Sequence, residues 1–250
     1  MSKTFLKINE IFYSIQGEGS TIGTPSIFLR LSGCNLKCYW CDTPFTWLYS
    51  KEIKNLIELK LIENNIEYDL NYYSKEEESK KLSIEEIIEK ISKFPTKNII
   101  ITGGEPLLQA KNLEKLCKLL NEDNYKIEME TNGTIRPFNE DYEIKYNVSP
   151  KLQNSLNEKD VRFKSDILKI FNNYNSIFKF VINDYDDITE VLEIIHQINI
   201  SNERVYLMPE GKIKSELENK YYWLIDLCKK YNFKYSHRLH IELYGDKRGV

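Results

Sequence analysis

The chain has 250 residues, 41% of them hydrophobic and 29% charged. That balance fits a soluble globular protein, and the length carries one large domain of α/β-barrel size, or two small ones, around a substantial core. The formal net charge of -3 excludes a protein built mainly to hold a nucleic-acid backbone, which needs a basic excess, but leaves room for small basic pockets.

Taken in chain order, MSKTFLKINEIFYSIQG alternates polar and apolar residues and lacks both the apolar core and the cleavage site of a signal peptide. No run approaches the roughly 18 apolar residues of a membrane span. These features predict a cytoplasmic chain with reduced thiols and no membrane or nucleic-acid partner. An odd total of five cysteines also argues against a disulfide framework. PSIFLRLSG alternates through Ile27, Leu29 and Leu31 and predicts a strand, with Arg30 on its opposite face. Residues 50–82 are polar, charged and without clear period. They predict a solvated insertion with one helix. Ser83 followed by Glu86 is a capping-box start for the helix SIEEIIEKISKF.

NIIIT, ending at Gly103-Gly104, reads as a buried strand. EPLLQAKNLEKLCKLLNE predicts a helix with Pro106 in its first turn. YKIEMETNG, EIKYNVSP and SIFKFVIND predict three more strands. DITEVLEIIHQI is an amphipathic helix and RVYLMPEG another strand. Ser215 and Glu218 predict a second capping-box helix through about Tyr231, and YSHRLHIELYG a closing strand. Cys117 and Cys228 sit among leucines at helical spacing, where a free cysteine behaves as a small hydrophobe.

Strands separated by helices imply parallel βαβ units in a single domain over 1–250. Six or so strands predict an α/β fold, a partial (open, abbreviated) β/α barrel. Such folds place their sites at the C-terminal ends of the strands. SGC, TGGEP, ETNG and NVSPK each follow a predicted strand, and that convergence outweighs any one motif.

SGCNLKCYWCDT is the most specific stretch. Cys34 and Cys38 have three residues between them, Cys38 and Cys41 two. A structural zinc site is tetrahedral and closed, so it needs a further ligand nearby. The remaining cysteines do not pair, and His196, His237 and His240 lie far down the chain. Thiolates also suit iron–sulfur clusters. A cubane held by three thiolates keeps one iron open for a small chelating molecule, so the fourth ligand is a substrate or cofactor.

This C-x3-C-x2-C spacing, with an aromatic before the last cysteine and TGGEP downstream, resembles the radical S-adenosylmethionine (SAM) superfamily. The resemblance implies a [4Fe-4S] cluster on Cys34, Cys38 and Cys41, with SAM chelating the open iron and yielding a 5′-deoxyadenosyl radical. No side chain is then the catalytic group. SIQGEG, the arginine of FLRLSGC, TGGEP, the SPK of NVSPK and the tail LHIELYGDKRGV resemble more narrowly the 7-carboxy-7-deazaguanine synthase family. Nearly the whole chain except 50–82 is covered. Enzymes of that family are homodimeric lyases that contract the ring of 6-carboxy-5,6,7,8-tetrahydropterin and release ammonia, with Mg2+ assisting and an external flavodoxin- or ferredoxin-type electron donor.

The resemblance implies that Ile15, Gln16, Gly17, Glu18, Arg30 and Thr102 bind substrate. It assigns Trp40, Cys41, Asp42, Gly104, Ser149, Pro150 and Lys151 to SAM, and Thr43 to magnesium. Without it, Gln16 to Glu18 is a polar loop, Arg30 a solvent-facing strand residue, Lys151 a surface lysine and Thr43 a helix N-cap before Pro44. Two other readings stay open. A glycyl-radical activase shares the cysteine spacing but has no need of SIQGEG or Arg30. A zinc-stabilised, non-catalytic binding module needs a fourth ligand that is absent locally.

Overall fold

The computed structural model describes residues 3–138 and 143–250. Nine strands among them form one open sheet: β1 (Phe5–Ile15), β2 (Pro25–Leu31), β3 (Lys80–Ser83), β4 (Asn98–Gly103), β5 (Lys126–Thr131), β6 (Ile144–Val148), β7 (Ser176–Ile182), β8 (Val205–Pro209) and β9 (Lys234–Tyr235). Their order across the sheet is β3-β1-β2-β4-β5-β6-β7-β8-β9. From β2 to β9 every neighbour is parallel. β1 runs antiparallel to β2 and β3 and forms, with β3, the antiparallel edge. The sheet does not close, as the predicted open barrel requires.

The strands form where branched and aromatic side chains alternate or run continuously. β7 is buried at every position and β8 likewise, as expected for strands covered on both faces. Ile27, Leu29, Leu31, Ile99, Ile101, Met129, Phe178, Phe180 and Leu207 are fully buried in the main core. The helices Ala110–Glu122 and Asp187–Ile198 add Leu113, Leu116, Cys117, Val191 and Ile194 to the same core. Cys117 is 0% exposed and Cys228 5%, so both act as apolar packing, as their spacing predicted.

The predicted capping box at Ser83 forms: its hydroxyl accepts from Glu86 N–H and the Glu86 carboxylate accepts from Ser83 N–H. The second box does not. The helix starts at Lys214, one residue before Ser215, and the carboxylate that caps it is Glu216, which accepts from Lys212 and Ile213 N–H. The predicted helix at 105–122 opens with a 3-10 turn, Pro106–Gln109, because the Glu105 carboxylate accepts from Leu107 N–H and fixes the entry.

Two larger expectations fail. The closing strand at 235–245 stops after Tyr235, and Leu239–Tyr244 is a short helix. Ser236 N–H still bonds Leu207 O, but Leu239 N–H then turns to Gly17 O, and Arg238 is drawn inward to carboxylates. Residues 50–82 are not a merely solvated insertion. Their helix Lys51–Glu63 and the chain after it bury Ile57, Leu61 and Leu70 against Trp40, Trp47 and Leu48, in a second core behind the cysteine loop. The sparse spacing of those three residues among charges hides this from a periodicity reading.

Candidate active site

The candidate residues come from both ends of the sheet: the cysteine loop, Thr102 and Gly104 lie at the C-terminal ends of β2 and β4, whereas Ile15, at the end of antiparallel β1, pairs with Pro25 at the start of β2. One cavity of about 250 Å³ is lined by Ile15, Gln16, Gly17, Glu18, Arg30, Cys34, Cys38, Trp40, Cys41, Asp42, Thr43, Thr102, Gly104, Ser149 and Lys151. Pro150 is buried but does not line it.

The cysteine loop leaves the end of β2. Each sulfur accepts one N–H bond. Leu36 N–H donates to Cys34 Sγ at 3.4 Å, the Asn157 side-chain amide to Cys38 Sγ at 3.3 Å and the Trp47 indole to Cys41 Sγ at 3.4 Å. Burial pushes all three thiols up, Cys38 to about 12. A bare thiolate is therefore unfavourable there, and iron would supply the compensating charge. N–H donors to sulfur stabilise the added electron of a reduced cluster, a lever on potential. This donor set fits a three-thiolate cluster. Asn157 and Trp47 were not singled out from the sequence, because neither lies in a motif.

The glycines of TGGEP are explained by the protein's own backbone. A Cβ on Gly104 would stand 2.2 Å from Gly33 O and 2.9 Å from Cys34 Cβ. Glu105 N–H bonds Gly33 O at 2.8 Å, so the end of β4 is fastened to the cysteine loop. Glu105 itself is fully buried and accepts from Asn132 N–H at 2.7 Å and Thr131 Oγ1 at 2.9 Å. TGGEP thus welds the ends of β2, β4 and β5 together. Asn132 Nδ2 also donates to Asn35 Oδ1, and Asn35 Nδ2 to Thr134 Oγ1, which ties ETNG to the same loop.

On the β6 side, Lys151 Nζ bonds Ser149 O at 3.0 Å and Oγ at 2.7 Å, and stands 5.8 Å from the Trp40 ring centroid. The Trp40 indole donates to Asn154 O. These groups offer an ammonium, a hydroxyl and an aromatic face beside the cysteines, suited to an amino-acid carboxylate and a base.

The opposite half of the cavity is built on β1, β2 and β7. Arg30 Nε donates to Glu10 Oε1 at 2.8 Å, and the guanidinium lies 5.7 Å from the Phe12 centroid and 6.0 Å from that of Phe45. Gln16 Nε2 donates to Glu128 and Glu130, and Thr102 Oγ1 to Glu130 Oε2 at 3.3 Å. Gly17 accommodates the tail: a Cβ there would meet His240 Nδ1 at 2.2 Å.

Glu18 sits in a knot of charges. It pairs with Lys179 of β7 and, at 3.1 Å, with Arg238 Nε, while Arg238 also holds Asp42. Glu18, Asp42 and His240 can bring one ligand atom each within 4.8 Å of the others. Because Lys179 and Arg238 already neutralise the two carboxylates, the trio is an ion-pair knot and not a cation site. Lys179, Arg238 and His240 were missed in the sequence. A lysine inside the apolar run SIFKFVI was the available signal.

Thr43 takes the N-cap position of the 3-10 turn Pro44–Thr46, as the sequence alone predicts, but its hydroxyl makes no capping bond. Its hydroxyl faces Cys41 Sγ at 3.7 Å on the cavity wall. Among the described residues no helix is long and apolar enough to cross a membrane.

The family profile of the radical SAM superfamily matches residues 29–219. The chain is 30% identical over 262 residues to 7-carboxy-7-deazaguanine synthase of Rhodopirellula baltica, covering 100% of this chain and 90% of that protein. It is 31% identical to the protein of the same name from Halobacterium salinarum, over 96% of this chain and 91% of that one. Among solved structures, QueE from Escherichia coli superposes with a TM-score of 0.67 at 25% identity, over 94% of this chain and 95% of that chain. The superfamily profile contains the cysteine loop, which sets aside the zinc module, and the Rhodopirellula match covers the whole chain, SIQGEG included, which sets aside the activase. With three cysteines grouped in the loop after β2 and likeness along its full length, the chain belongs to the 7-carboxy-7-deazaguanine synthase family of the radical SAM superfamily.

Proposed function

We propose that this protein converts 6-carboxy-5,6,7,8-tetrahydropterin to 7-carboxy-7-deazaguanine, with ring contraction and release of ammonia, in queuosine-type 7-deazapurine biosynthesis. The observation that carries this reading is the single cavity shared by the cysteine loop and by Gln16, Glu18 and Arg30. When bound, the cluster and SAM supply a 5′-deoxyadenosyl radical that abstracts a substrate hydrogen.

The chain's residues hold and orient. Lys151, with Ser149 beside it, faces the SAM carboxylate or ribose. Trp40, Cys41, Asp42 and Gly104 complete that half. In the other half, Gln16 and Glu18 present a carboxamide and a carboxylate to the donors and acceptors of the pyrimidinone edge, next to Ile15, Gly17 and Thr102. Arg30 bonds Glu10 through Nε alone among the described residues, which leaves its outer edge to clamp the pterin carboxylate with two parallel bonds. Magnesium keeps most of its waters and takes one or two protein oxygens. Thr43 would supply one such oxygen, and with magnesium held there its hydroxyl would help fix the substrate carboxylate. A one-electron donor of flavodoxin or ferredoxin type and a homodimeric assembly complete the reading.

Binding measurements on the anaerobically reconstituted protein test it. Wild type binds the carboxypterin in the presence of SAM, and magnesium strengthens binding. Arg30→Ala weakens binding at least tenfold, about 1.4 kcal/mol, while SAM cleavage without substrate persists. Arg30→Lys is also impaired, since a point charge does not reproduce the planar fork. Thr43→Ala loses the magnesium response with an unchanged cluster spectrum, and Thr43→Ser retains most of it. Wild-type affinity in Arg30→Ala would reduce Arg30 to a strand residue, and a full magnesium response in Thr43→Ala would remove Thr43 as a ligand.

A further inference from the structure

The helix Leu239–Tyr244 ends at Gly245, and residues 245–250 run along the wall of the cavity beside Glu10, Arg30 and Phe45. Arg248 fastens this tail. Arg248 Nη1 and Nη2 bond the two carboxylate oxygens of Glu78 at 2.9 and 2.8 Å, a bidentate fork. Asn9 holds Glu78 from the other side: its Nδ2 donates to Glu78 O at 2.6 Å and to Oε2 at 3.0 Å. The Arg248 guanidinium also lies 3.6 Å from the Phe45 ring centroid, on the ring that Arg30 approaches at 6.0 Å. Glu78 belongs to the 50–82 segment. That segment therefore touches the site twice, behind the cysteine loop through Ile57 and Leu61 and at the tail through Glu78.

We propose that Glu78 and Arg248 are positioning residues that hold residues 245–250 as a fixed wall of the substrate half of the cavity. This rests on the reading of that half as the pterin site. A charge-assisted fork is stronger than a neutral pair and has a set direction. The aromatic face under it adds a cation–π contact. Glycines at 245 and 249, both with positive φ, let the tail turn but give it no stiffness of their own. Without the fork the tail loses its registration against Phe45 and Arg30, and the substrate meets an open wall.

Three variants test this: Glu78→Ala, Arg248→Ala, and the charge-exchanged double variant Glu78→Arg/Arg248→Glu. In the single variants residues 245–250 are released from the wall, read as amide hydrogen exchange about tenfold faster than in wild type. KM for the carboxypterin rises on the order of tenfold, the scale of about 1.4 kcal/mol. Turnover at saturation, substrate-free SAM cleavage and the cluster spectrum stay unchanged. The exchanged pair restores part of both effects, which a general loss of stability would not allow. Unchanged tail release, or faster release with unchanged KM, overturns the proposal. If wild type does not act on the carboxypterin, the pterin reading fails on its own, and tail release still decides whether the clasp exists.

Discussion

Replacing Cys34, Cys38 or Cys41 with alanine abolishes cluster assembly and all SAM cleavage, whereas Cys117→Ala and Cys228→Ala retain both. The difference follows from placement. The first three sulfurs share a loop at the end of β2, and each faces an N–H donor from a different part of the chain. A cubane with only two thiolates has two irons without protein ligands and does not persist. Cys117 and Cys228 are packed on helices among leucines. Their replacement removes one buried atom, at a cost on the order of 1 kcal/mol. Iron and sulfide content and the visible spectrum of each anaerobically reconstituted variant check this. Retention of a four-iron cluster in Cys38→Ala, or its loss in a folded Cys117→Ala, contradicts the assignment.

Lys179→Met destabilises the fold by about 3 kcal/mol, at the low end for breaking a buried ion pair because Arg238 remains. Lys179 is 4% exposed and pairs with Glu18, with Glu130 at 3.9 Å. Burial opposes charge on both partners. Even so, Lys179, Arg238 and His240 outweigh burial at Glu18 and hold its carboxyl well below the ordinary 4.5. Burial likewise pulls Lys179 down, but Glu130 and Glu18 carry it above its ordinary value. For Glu18 the linked stability is present above about pH 4.5 and is lost as the pH falls toward the depressed value. For Lys179 it is present at neutral pH and is lost only as the pH rises through the elevated value. In Lys179→Met, Glu18 keeps less of its depression, so stability falls less steeply on acidification. Urea denaturation at pH 7 and pH 4 measures both effects. Adding Glu18→Gln recovers part of the loss, since two neutral side chains need no charge partner. Stability within 0.5 kcal/mol of wild type in Lys179→Met, well under the buried-pair range, contradicts a buried, mutually dependent pair.

What was legible in the sequence was local. C-x3-C-x2-C, TGGEP and the apolar strands are short patterns, and a fold that gathers strand ends at one edge brings them together without further information. The Glu18–Lys179–Arg238 knot joins residues at 18, 179 and 238, and no local pattern records which carboxylate a buried lysine will meet. The same holds for Arg248 and Glu78. The closing strand was misread for a related reason. YSHRLHIELYG alternates, but Arg238 turns toward Glu18 and Asp42 while Leu239 N–H bonds Gly17 O, and long-range charge pairing overrides the local period. Residues 50–82 looked solvated because their three buried side chains are diluted by charged neighbours. Even the glycines of TGGEP were only half understood. The resemblance assigned Gly104 to SAM, but the place of its missing Cβ is taken by the backbone at Gly33.

In the proposed function one cavity joins radical generation to a pterin ring contraction. The most direct measurement is anaerobic incubation of reconstituted wild-type protein with SAM, a one-electron reductant, magnesium and 6-carboxy-5,6,7,8-tetrahydropterin, followed by product mass and ammonia. The expected products are 7-carboxy-7-deazaguanine and ammonia in equal amounts, with SAM used catalytically. Cleavage of SAM to 5′-deoxyadenosine with the pterin recovered unchanged would contradict the proposed function.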